Sequence, residues 1–261
     1  MVIGIVCYPT FGGSGGMATE LGIALAEKGH EVHFITYQQP VRLDLLSHNV
    51  HFHEVFVPDY PLFLYQPYEL ALSSKLVDMV KLHKIEVLHV HYAIPHAYAG
   101  YMAKKMLEEE HIYIPMVTTL HGTDITLVGN HPFYKPAVSF SINNSDVVTS
   151  VSQSLKEDTL RLFDIDKEIF VVPNFIKVEK QGNTYTECQR DLMAQPEERI
   201  ITHISNLRPV KRIVDVIEIF CRIQKEMPAK LLMVGEGPEK EMAEEMCIAK
   251  GIEDKVLFLG N

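Results

Sequence analysis

The residues best suited to chemistry in this 261-residue chain fall in five short polar or glycine-rich segments. Gly12-Gly13-Ser14-Gly15-Gly16 follows the apolar run Val2–Val6 and precedes Leu21, Ala24 and Leu25 at helical spacing, up to Lys28-Gly29. A glycine loop between strand and helix lets the backbone approach a ligand. The start of the helix offers unpaired N–H groups and a positive dipole end to an anion. A tight turn with no ligand has the same signature. Tyr92–His96 follows the apolar run Val87–His91, and His121-Gly122-Thr123-Asp124 follows Met116–Leu120. A histidine at a strand end can donate to a sugar hydroxyl or titrate near neutrality. Asp124 can accept from it or cap the next turn. Asn206-Leu207-Arg208-Pro209-Val210-Lys211-Arg212 opens a helix with three cations, which suits a diphosphate, although charge runs are commonly just solvated. Gly235-Glu236-Gly237-Pro238 is the fifth segment.

Two other chemistries are weighed against these residues. Gly13-Ser14-Gly15-Gly16-Met17-Ala18 fits the dinucleotide pattern G-x-G-x-x-A, but that pattern wants an acid at the end of the second strand. Here the second strand ends in Thr36-Tyr37-Gln38, and Glu31 sits at its other end. His89 and His91 share one face of a strand with His96 nearby, but no carboxylate or cysteine stands at ligand spacing. Packed histidines are therefore favoured over a metal there.

The elements that must position these segments alternate strand and helix throughout. Strands are expected at 2–6, 31–36, 50–57, 87–91, 116–120, 146–151, 169–172, 200–205, 230–234 and 256–259. Helices follow the glycine loop and cover 68–83, 95–107, 152–162, 213–225 and 239–250. The expected class is α/β with parallel sheets. Residues 1–175 form a first Rossmann-like domain, 176–198 a polar linker or irregular segment, and 199–261 part of a second domain. In open parallel sheets ligands bind beyond the carboxyl ends of the strands. All five segments lie there, which predicts a cleft between two facing domains. Net charge is −10, from 24 basic and 34 acidic residues, which argues against nucleic-acid binding while leaving room for a local basic site. The four cysteines show no metal or paired spacing, and no apolar run reaches membrane length. A reduced, cytoplasmic protein is expected.

Taken together, His89-Val90-His91-Tyr92-Ala93-Ile94-Pro95-His96, Thr118-Thr119-Leu120-His121-Gly122-Thr123-Asp124-Ile125-Thr126, Val172-Pro173-Asn174-Phe175-Ile176, His203–Arg212 and Val234–Pro238 resemble the retaining GT-B glycosyltransferases of family 4. Gly12-Gly13-Ser14-Gly15 adds to the resemblance, and within the family the members acting in bacillithiol biosynthesis are most similar. The resemblance implies a GT-B fold of two Rossmann-like domains. It implies transfer of N-acetylglucosamine from UDP-N-acetylglucosamine to L-malate with retention, release of UDP, no metal and no other cofactor. It places Gly13, Ser14 and Gly15 against acceptor and diphosphate, and Tyr92 and Thr119 on malate. His121 would contact the donor sugar, and Asn206, Arg208 and Lys211 would meet the diphosphate and the malate carboxylates. His121, Arg208 and Lys211 are the catalytic candidates; Asp124, Gly235 and Gly237 complete the substrate-binding set. A homo-oligomer is left open.

Two departures stand out. Leu207 and Pro209 replace an aromatic and a further base of the family pattern, leaving the site less cationic. The family's E-x7-E segment, which grips the donor, would lie beyond residue 261. The second domain therefore reads as incomplete, and this chain is expected to transfer sugar slowly and to open or self-associate through that domain. The rival readings are a non-catalytic or truncated α/β module that captures an anionic metabolite, and a family 4 glycosyltransferase with another acceptor.

Overall fold

The structure, a computed structural model, describes residues 1–10, 13–43, 48–59, 61–62, 64–175 and 189–260. The chain divides into two compact units, residues 1–178 and 179–261. The expected linker lies largely in 176–188, outside the described residues; Gln189–Leu192 forms a 3-10 turn.

In the first unit β1 (Val2–Val6) leads through residues 7–10 to α1 (Gly13–Glu27), then β2 (Glu31–Thr36) and β3 (Val50–Glu54). There follow α2 (Tyr68–His83), β4 (Val87–His91), a π-type turn (Ala93–Ala97), α3 (Tyr98–Glu109), β5 (Met116–Leu120), a single turn α4 (Thr123–Thr126) and α5 (Lys135–Asn143). β6 (Val147–Ser150), α6 (Gln153–Leu162) and β7 (Ile169–Val171) complete it. All pairings are parallel, in the order β3-β2-β1-β4-β5-β6-β7. The order reverses direction between β1 and β4, so the chain leaves these neighbours toward opposite faces and opens a crevice at their carboxyl ends.

β1 is apolar on both faces because helices cover both, while β4 and β5 mix apolar residues with His89, His91, Thr118 and Thr119. Val6, Leu88, Val90 and Met116 pack with Leu72, Leu76, Ala103 and Leu107 of α2 and α3. Ile3, Ile5, Val32 and Phe34 pack with Ala18 and Ala26 of α1. Full burial of such a side chain is worth about 1.5–3 kcal/mol, so these strands hold the crevice walls firmly. Gly22 belongs to this packing, since a Cβ there would stand 2.3 Å from the Phe34 ring.

In the second unit β8 (Arg199–Ile204), a 3-10 turn (Pro209–Lys211), α7 (Ile213–Glu226), β9 (Ala229–Val234), α8 (Lys240–Ala249) and β10 (Val256–Gly260) give a parallel sheet of order β10-β9-β8. Its core joins Ile213, Ile217 and Phe220 to Leu231, Met233, Ala243 and Val256.

Three expectations need correction. Gly13, Gly15 and Gly16 belong to the first turns of α1 and not to a free loop. Pro95 does not start an α-helix: Ile94 is extended, Ala93–Ala97 forms the π-type turn, and α3 begins at Tyr98. β3 ends at Glu54, and α5 was not foreseen.

Candidate active site

The first unit gathers its polar residues where β1 and β4 part. Gly13 starts α1 with φ +62, a conformation that costs a side chain strain, and nothing lies within 4 Å of where its Cβ would be. Gly15 is the opposite case. A Cβ there would stand 2.2 Å from the Tyr8 carbonyl and 2.7 Å from the Thr10 nitrogen. Its absence lets residues 8–10 lie against the helix and leaves Ser14 half-buried beside the crevice.

Tyr92, just past β4, has φ 86, an outlying conformation for a bulky residue. Such a backbone costs on the order of 1–3 kcal/mol and needs surrounding structure to hold it. The Tyr92 N–H donates to the Thr119 carbonyl at 2.9 Å, its carbonyl accepts from the Ala97 N–H at 3.1 Å, and the next N–H, of Ala93, donates to Asp124 Oδ2 at 3.1 Å. This backbone turns the phenol toward α1. There the Ser14 hydroxyl donates to the Tyr92 hydroxyl oxygen at 2.9 Å, and the Thr123 hydroxyl donates to it at 3.2 Å. A phenol oxygen accepts twice and donates once. With both acceptor positions filled, the Tyr92 proton is the one left for a ligand.

His121 stacks on Tyr92 with ring centroids 5.3 Å apart, and its Nε2 lies 2.8 Å from His91 Nδ1. His91 is buried, and its Nε2 has no partner among the described residues. An orphaned N–H costs more than an orphaned lone pair. The favoured arrangement therefore puts the His91 proton on Nδ1, donating to His121, and leaves the bare lone pair at Nε2. His121 then carries its own proton on Nδ1, which makes no hydrogen bond with the described residues. Burial, aided by His89 and His96, pushes His121 down to about 4. The ring is neutral at pH 7 and does not titrate near neutrality, contrary to the sequence-based expectation.

Asp124 resolves an open alternative. Its carboxylate accepts from the backbone N–H groups of His121 at 3.2 Å, Gly122 at 2.9 Å and Ala93, and not from the His121 ring. It is buried; burial raises its pKa while those three backbone hydrogen bonds oppose the rise. Asp124 thus clasps the turns after β4 and β5 together. Thr119 is also buried, with its hydroxyl 2.7 Å from His89 Nε2 and 2.8 Å from Thr149 Oγ1. It keeps a proton for a ligand only in the arrangement where both neighbours donate to it.

In the second unit the segment after β8 carries the cations. Asn206, Arg208 and Lys211 are exposed, and neither Arg208 nor Lys211 makes an ion pair with the described residues. Arg212 differs: it pairs with Asp215 at the start of α7. The Lys211 N–H donates to the Arg208 carbonyl at 2.8 Å, which folds the run into a compact turn. Gly235 and Gly237 support that turn. A Cβ on Gly235 would stand 1.9 Å from the Ser205 carbonyl, and one on Gly237 2.3 Å from the Leu207 carbonyl. Leu207 is fully buried, its N–H donating to the Glu236 carbonyl at 3.0 Å. Its apolar side chain thus belongs to the core, which explains why it adds nothing polar to the basic turn.

Sequence comparison agrees with this architecture. The family described as Glycosyltransferase Family 4 matches residues 11–180, about two thirds of the chain, and Glycosyl transferases group 1 matches residues 185–261. The chain belongs to glycosyltransferase family 4. The N-acetyl-alpha-D-glucosaminyl L-malate synthase of Bacillus anthracis is 48% identical over 99% of this chain and 67% of that protein. An uncharacterized glycosyltransferase of Methanocaldococcus jannaschii is 27% identical over 94% of this chain and 65% of its own length. The chain thus spans about two thirds of the length of these two relatives. Among solved structures, Anabaena HepE in complex with UDP and glucose aligns with a TM-score of 0.74 at 16% identity, over 99% of this chain and 68% of that one. Sucrose-phosphate synthase from Thermosynechococcus elongatus gives 0.73 at 17% identity, over 100% and 70%. These likenesses identify the GT-B fold. Among the described residues no helix is long and apolar enough to cross a membrane.

Proposed function

We propose that this glycosyltransferase moves N-acetylglucosamine from UDP-N-acetylglucosamine to the hydroxyl of L-malate with retention. The bond from the sugar's anomeric carbon to UDP breaks, a bond to the malate oxygen forms, and the malate proton leaves with the UDP. The observation that carries the acceptor assignment is the hydroxyl meeting at Tyr92. Its two lone pairs are taken by Ser14 and Thr123, so the group presents only a proton. His121 adds an N–H, and the start of α1 adds backbone N–H groups. A set made of donors suits an acceptor-only carboxylate and leaves a neutral alcohol under-bonded.

Arg208 and Lys211, with Asn206 beside them, serve as the counter-charge for the diphosphate, whose negative charge grows as UDP departs. His121, as a neutral donor, holds a sugar or carboxylate oxygen and does not act as a proton relay at pH 7. The transfer needs no metal on this reading, because the exposed cations supply the charge. The name of the Bacillus anthracis relative supports the transferred sugar and the acceptor alike. The unpaired Cys7, Cys221 and Cys247 support a cytoplasmic setting.

The test is calorimetric titration of the chain with L-malate. Removing one donor to a charged group costs about 1.5–3 kcal/mol, so Tyr92→Phe is expected to weaken binding about 10- to 150-fold. Unchanged affinity in a folded Tyr92→Phe protein contradicts the acceptor site.

A further inference from the structure

On the β3 side of the first sheet lies a second cluster that the transfer reaction does not use. His33 of β2 lies opposite His51 of β3, and Ile35 lies opposite His53, so these alternate residues share one sheet face. His83, the last residue of α2, packs on that face, its ring centroid 4.5 Å from His33 and 4.7 Å from His53. One ligand-capable nitrogen from each of His33, His53 and His83 lies within 4.8 Å of the others.

We infer that His33, His53 and His83 form a binding site for a divalent transition metal of the Zn2+ type. Four-coordinate Zn2+ with bonds near 2.0–2.1 Å sets its nitrogens ~3.3 Å apart, so small ring movements bring this trio into place. His33 Nδ1 and His53 Nε2 are already 2.8 Å apart. The other nitrogen of His33, Nε2, lies 3.3 Å from Glu31 Oε1. A carboxylate only accepts, so it holds the His33 proton on Nε2 and leaves the Nδ1 lone pair facing His53. A carboxylate behind the ring is the usual support of a metal-ligating histidine. His33 is buried and His53 and His83 are half-buried, so the site is shielded but reachable. A fourth position is left to water. Bound metal ties the edge strand β3 to β2 and to the end of α2.

The experiment uses the untagged chain, stripped with a chelator and titrated with Zn2+ by calorimetry and with Co2+ by visible absorption. One ion per chain with a tetrahedral Co2+ spectrum is expected, together with a higher midpoint of thermal unfolding. The double variant His53→Gln/His83→Gln is expected to lose the spectrum and at least 100-fold in affinity. Glu31→Gln is expected to keep the stoichiometry with affinity weakened about 10- to 100-fold. His33 is left intact because its burial makes substitution a folding risk. Absence of saturable binding to the unsubstituted chain overturns the inference. So does binding that persists unchanged in a double variant whose circular dichroism shows it folded.

Discussion

Tyr92 and His121 are defined by where their protons are free to go. Two hydroxyls donate into Tyr92, and His91 donates into His121, so each side chain turns its remaining hydrogen outward. Lys211 works differently, as a charge with no internal ion-pair partner among the described residues. Losing one charge-stabilising donor typically costs about 2–4 kcal/mol, so Lys211→Ala is expected to lower kcat/KM for transfer about 30- to 1000-fold. Steady-state kinetics measure this, and a loss under about threefold removes Lys211 from the reaction. The buried rings also set an acid sensitivity. His89, His96 and His121 are pushed down from 6.5 to about 4, above all by burial. Unfolded, they take up protons below their ordinary value; folded, they do not until about 4. In that window the unfolded chain binds more protons, so stability falls as pH drops from about 6.5 toward 4. The urea midpoint is expected to be lower at about pH 5 than at about pH 7.5, and equal midpoints would show that these rings reach water.

The start of α1 is where neighbouring glycines have different jobs. Gly15 has backbone atoms of Tyr8 and Thr10 inside any Cβ position, and backbone cannot swing aside. Gly15→Ala is expected to cost about 1–3 kcal/mol by overpacking and to push the 8–10 segment off the helix. Gly13→Ala meets open space and pays only for its positive φ, about 1–2 kcal/mol. Chemical denaturation of both variants measures these costs, and calorimetric titration measures malate binding, which should fall more in Gly15→Ala because it displaces Ser14. The reverse order contradicts the assignment. The same stretch shows how far sequence reading reaches. Strand, glycines and helix were legible from apolar runs and spacing, and Ser152 was correctly read as an N-cap, accepting from the Leu155 N–H at 3.1 Å. The start of α1 inside the glycines was not legible, because it depends on how residues 8–10 pack back on the helix. Pro95 misled for a related reason: the turn it sits in is set by Asp124, about thirty positions away.

For the whole molecule, alternation of strands and helices was enough to read two parallel sheets, and the polar segments at strand ends marked where ligands are expected. The converging pair Ser14 and Tyr92 was present among the candidates, but the direction of their hydrogen bonds appears only with the coordinates. The histidine trio was invisible in sequence, since His33, His53 and His83 meet only through the β2–β3 register and the end of α2. On the proposed function the chain transfers N-acetylglucosamine and selects malate through carboxylate-directed donors. This is tested most directly by following UDP release and product mass with UDP-N-acetylglucosamine and either L-malate or glycerol. A malate-dependent product is expected, with a rate at least about 100-fold above that with glycerol, however slow the turnover. Equal rates with the two acceptors, or no product with malate, would contradict it.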